Sequence, residues 1–75
     1  MNSKRRSELN RALGLLRSAH AIVETARDEE QYSYDNLPEQ FQEGDRGDAM
    51  EEAISNLEDA IDAIESAEQS ITEAM

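Results

Sequence analysis

The chain has no cysteine and no tryptophan, a single proline, three glycines and only three aromatic residues among 75. Without cysteine there is neither a disulfide framework nor a thiolate metal site, which agrees with a reducing compartment, the cytosol by default. The opening "MNSKRR" resembles a signal-peptide n-region. The apolar run that follows, "ALGLL", is too short for a signal-peptide core or a membrane span, so the chain is expected to be used whole. Positive charge is the most uneven absence, because no Lys or Arg occurs after Arg46.

Catalytic vocabulary is also missing. The one histidine, His20, falls on the apolar face of a helical segment with no Ser or Cys partner near it in sequence, which points to a partly buried structural role rather than a base. The Glu-x-x-His pairs that di-iron bundles need are absent. "DEEQYSYDNLPE" lacks the spacing of a calcium loop, and carboxylate pairs such as Glu58 and Asp62 read as solvated rather than metal-bound. Arg46-Gly47-Asp48 matches an integrin tripeptide only at the level of chance. The expectation is a non-enzymatic protein with no cofactor and no metal.

What the sequence does contain is helical periodicity. Met50, Ile54, Leu57, Ile61, Ile64, Ile71 and Met75 follow alternating steps of four and three, interrupted by Glu68, and Ala53, Ala60, Ala67 and Ala74 form a second column. In the first third, Leu9, Leu16 and Val23 form one column and Ala12, Ala19 and Ala26 another, while Leu13, Leu15 and Ile22 widen the stripe. The alanine columns favour close helix approach. Between these segments Asn36 and Glu39 read as a capping box with Pro38 in the first turn, Gly44 as a helix stop and Asp45 as the next N-cap.

These signals predict an all-α domain over residues 1–75. Its two long amphipathic helices, about 3–34 and 45–74, form an antiparallel hairpin with a short helix, 37–43, at the tip. A chain this size buries only about 60% of its unfolded surface, so a single hairpin is marginal alone. A homodimer forming a four-helix bundle is therefore expected, and the breadth of the first stripe supports it.

Residues 1–17 carry five Lys or Arg and one Glu, and residues 18–75 carry two Arg and seventeen acids. Lys4, Arg5, Arg6 and Arg11 sit where the helix macrodipole disfavours them. An antiparallel partner would bring Glu65, Glu68 and Glu73 beside them as an internal counterweight. Unbalanced charge then collects near the tip. The net charge of -11 predicts repulsion from nucleic acid and anionic membranes and attraction to basic surfaces.

Acidic residues on the outside of a helix ordinarily alternate with Lys, since i,i+4 like pairs cost a few tenths of a kcal/mol each. Omission of every such Lys marks Glu24, Asp28, Glu43, Asp45, Asp48, Glu51, Glu52, Glu58, Asp59 and Asp62 as candidate partner-binding groups, against the plainer reading of a solvated face. Tyr32 and Tyr34 are candidate anchors, whereas Leu37 and Phe41 read as a mini-core that pins the short helix. Carboxylates about 5 to 6 Å apart along one face approximate the spacing of phosphates on a strand.

The stretch "NLPEQFQEGDRGDAMEEAISNLEDAIDAIE", residues 36–65, together with Arg5-Arg6 and the Asn36-Leu37-Pro38-Glu39 turn, resembles a family of small, mostly uncharacterised acidic helical proteins of bacteriophages and mobile elements. That resemblance implies a phage or prophage setting and the cytosol of an infected bacterium. By analogy with other small acidic phage proteins, the expected partner is a host defence nuclease. The leading reading is an anti-CRISPR-like inhibitor that blocks a basic nucleic-acid-binding site. The alternatives are a homo-oligomeric helical interaction module and a nucleotide-signal sponge using Arg5, Arg6 and Arg11.

Overall fold

The computed structural model describes all residues, Met1–Met75. Three helices follow one another, α1 (Ser3–Asp35), α2 (Glu39–Gln42) and α3 (Asp45–Ala74), and there is no strand. α1 and α3 pack along each other into a rod of 58 × 15 × 12 Å. Length alone sets the long dimension, since 33 helical residues rise about 50 Å.

The seam is narrow. Leu13, Ile54 and Ile61 are its buried apolar side chains, joined by buried Gly47. Leu9, Leu16, Val23, Met50, Leu57, Ile64 and Ile71 are half-buried around them. Two cross-links give the register: His20 reaches Glu65 at 3.0 Å, and Tyr34 donates to Glu51. Both belong to one antiparallel alignment, which carries Met75 to about the level of Asn10.

This alignment corrects the expected counterweight. About two turns at the start of α1 overhang the end of α3, and residues 1–8 are all exposed. The ion pairs present join His20 to Glu24, His20 to Glu65 and Arg27 to Asp28, and none uses Lys4, Arg5, Arg6 or Arg11. The start of α1 is instead capped locally, with the Asn2 side chain accepting from the Arg5 amide at 2.8 Å.

Capping at the tip also differs from the expected scheme. Asn36 does not open the short helix; it closes α1, its side-chain amide donating to the Tyr32 carbonyl at 2.7 Å. Pro38 precedes α2, which is confined to Glu39–Gln42 and has no side-chain cap. Gly44, rather than Asp45, is the N-cap of α3, and it holds an extended conformation with negative φ, so it is not a left-handed stop. Asp45 lies inside the first turn with Asp48, where both carboxylates favour the positive helix end.

Gln42 does the polar work that the capping box was expected to do. Its side-chain amide donates to the Leu37 carbonyl at 3.1 Å and to the Tyr34 carbonyl at 2.9 Å, which also accepts from the Leu37 amide, so the carbonyls where α1 ends are drawn onto one side chain. α2 then presses on the first turn of α3 so closely that a Cβ at Gly47 would lie 2.0 Å from the Gln42 carbonyl oxygen. Phe41 is not part of a mini-core: it is 47% exposed, while Leu37 is half-buried.

Candidate protein-binding surface

With residues about 100° apart on a helix, the burial pattern divides the rod into two unlike sides. On one, α1 contributes His20, Glu24, Gln31 and Tyr34, and α3 contributes Glu51, Ser55, Glu58, Asp62 and Glu65. A shallow groove of about 410 Å³ runs between them, lined by Gln31, Tyr34, Glu51, Ser55, Glu58, Asp59 and Asp62 over Ile54. The groove contains four carboxylates and no Lys or Arg.

His20 is the basic group that links the two helices on this side, and half-buried Arg27 follows it in the same column of α1, paired with Asp28. The two ring nitrogens of His20 lie 2.6 Å from Glu24 and 3.0 Å from Glu65. An imidazole placed between two acceptors satisfies both only as the imidazolium, which donates twice. The hydrogen bond to Glu65 accordingly raises its pKa above 6.5, burial opposes this, and the charges of Glu24, Glu65 and Glu68 add to the rise. The sequence contained half of this arrangement in the i,i+4 spacing of His20 and Glu24; Glu65 is supplied by the opposite helix.

Tyr34 is held in the same way. Glu51 accepts its hydroxyl hydrogen bond, which with partial burial and the charges of Glu51, Asp48 and Asp35 raises the phenol above its usual value and keeps it protonated. Tyr34 is therefore a donor spanning the two helices. Tyr32 has no such partner and is 72% exposed on α1.

The structure gathers Tyr34, Glu51, Glu58, Asp59 and Asp62 into one groove, whereas Glu24 lies outside it, farther back along α1, paired with His20. Glu43, Asp45, Asp48 and Glu52 are exposed at or near the tip without lining the groove. Asp28 lies on α1 in an ion pair with Arg27 at 2.9 Å. Gln31 and Ser55 line the groove too, though neither has a charge or periodic signal that would have singled it out. Arg5, Arg6 and Arg11 are exposed at the far end.

No group of three or more His, Asp or Glu side chains has an arrangement that could hold a metal ion. No helix is long and apolar enough to cross a membrane. Compared with known protein families, curated proteins and solved structures, the chain matches none.

Proposed function

We propose that this chain is a non-enzymatic binding protein whose acidic side occupies a basic, nucleic-acid-binding site on another protein. The observation that carries the reading is the groove with Glu51, Glu58, Asp59 and Asp62 along it and no Lys or Arg among its lining residues. Like charges at these spacings destabilise the helix that bears them. A basic channel relieves that repulsion and exchanges its counterions for the carboxylates, so binding weakens steeply with salt, as it does for the nucleic acid displaced. Tyr34, rigidly positioned by Glu51, adds a directional contact inside the charged field.

The resemblance to acidic phage proteins suggests a defence nuclease, such as a CRISPR effector, as the target, in the cytosol of an infected bacterium. The test uses tagged protein on host lysate, with elution by a DNA oligonucleotide at low and high salt and identification of what elutes. The quadruple variant Glu51→Lys, Glu58→Lys, Asp59→Lys and Asp62→Lys is run in parallel. Recovery of a nucleic-acid-binding nuclease that DNA displaces, and that the variant loses, supports the proposal. Retention that survives the reversals removes it and favours the alternative, an interaction module whose charge serves only solubility.

A further inference from the structure

The opposite side of the rod is apolar and open. There α1 exposes Leu15 by 62% and Ile22 by 69%, flanked by Ala12, Ala19 and Ala26. On the same side α3 presents half-buried Leu57, Ile64 and Ile71 above the alanine column Ala53, Ala60 and Ala67. Ile22 borders a hollow of about 400 Å³ with Ala21, Thr25 and Ala26, closed at the tip-ward end by Glu29. A contiguous apolar side of this kind is uncommon on a protein that works alone.

We infer that this side binds a second copy of the same chain, antiparallel to the first, to give a four-helix bundle with both acidic sides facing outward. Three observations identify the occupant. The first is area: the hairpin exposes 5462 Å², whereas a compact chain of 8.4 kDa exposes about 4600 Å². The excess, roughly 850 Å², matches the share that one partner contributes to a standard interface.

Shape is the second. With a two-fold axis near Ser18 and Ala19, Leu15 of one copy lies opposite Ile22 of the other and enters the hollow beside it, and the contact repeats on the far side of the axis. The two most exposed aliphatic side chains of the seam-flanking stripe thus cover each other. Alanines at the flanks let the four axes approach.

Charge is the third observation, and it determines direction. A parallel pair would set two acidic tips side by side. About the same axis, the antiparallel pair sets the overhanging Lys4, Arg5 and Arg6 of each copy level with residues 31–33 of the other, within a turn of Glu30, and the one like-charge contact it makes is Glu8 against Glu29. This arrangement supplies the counterweight that the hairpin lacks internally, and it leaves the acidic groove free.

Sedimentation at about 100 µM, far above the dissociation constant that an interface of this area supports, is expected to give twice the monomer mass of 8.4 kDa. Leu15→Glu with Ile22→Glu should weaken association on the order of 100-fold or more, since four aliphatic side chains per dimer lose their cover. Should that variant unfold, wild-type protein answers the question: the melting midpoint of a dimer rises over an about 100-fold range of concentration. Direction is read by mixing Leu15→Cys with Ile22→Cys under mild oxidation. Disulfides joining the two different variants support the antiparallel pair. A monomer mass, a midpoint independent of concentration, or disulfides only within one variant would overturn the proposal.

Discussion

The two ends of this hairpin are built by different means. At the tip, α1 closes through Asn36, Gln42 bridges two backbone carbonyls, and Gly47 lets α2 touch the first turn of α3. At the open end α1 runs past α3, its basic residues have no ion-pair partner, and Glu68 interrupts the apolar seam. One oxygen of that carboxylate is buried without a hydrogen-bond partner. Short-range polar geometry thus fixes the tip, whereas beyond it apolar burial holds the helices together with the single His20–Glu65 link, which teaches that the two ends should respond oppositely to substitution.

The largest effect is expected from Gly47→Ala. A methyl group there meets backbone, not a flexible side chain, so α2 must leave its place. A loss of about 3 kcal/mol in urea unfolding is the expected outcome, at the upper end of overpacking costs. Tolerance of alanine within about 0.5 kcal/mol would show that the tip contributes little and would erase the contrast between the ends.

Glu68→Leu acts in the opposite sense. It removes an unsatisfied buried oxygen and completes the step pattern between Ile64 and Ile71. A gain on the order of 1 kcal/mol is expected, from desolvation relieved and apolar area covered. Thermal unfolding at a fixed protein concentration checks it, and a lower midpoint for the variant would mean that Glu68 has a stabilising partner in the assembled protein.

The smallest effect is a pH dependence at mid-rod, where His20 joins α1 to α3. Its pKa is raised in the folded chain, so its contribution is complete below 6.5 and disappears as pH climbs through the higher folded-state value. The stability difference between wild type and His20→Gln should therefore be larger at about pH 5.5 than at about pH 8.5. Using the difference cancels the general relief of carboxylate repulsion in acid. A difference that is flat with pH, or that grows toward alkaline pH, would show that His20 is neutral between Glu24 and Glu65.

Much of the fold was legible along the chain. The four-and-three columns of α3 and the paired columns of α1 are properties of a single helix, and the boundaries they imply coincide with those of α3 and stop one residue short of the end of α1. The tip was less legible, because Asn36 satisfies equally well the rule for opening one helix and the rule for closing another. The competition was settled by Gln42, whose side chain reaches back to α1 and carries no sequence signature. The acidic residues were visible as a list, whereas the division into groove, tip and flank was not.

Composition and periodicity by themselves determined that this chain makes two long amphipathic helices, that its charge is strongly acidic and divided along its length, and that its apolar stripe on α1 is broader than one neighbouring helix can cover. Those features depend on residues within a few turns of one another. The tertiary structure alone decided the register that leaves Lys4, Arg5 and Arg6 beyond the end of α3, the close approach at Gly47, and the half of the α1 stripe that α3 covers. Each of these depends on where a second helix lies, which no local spacing encodes.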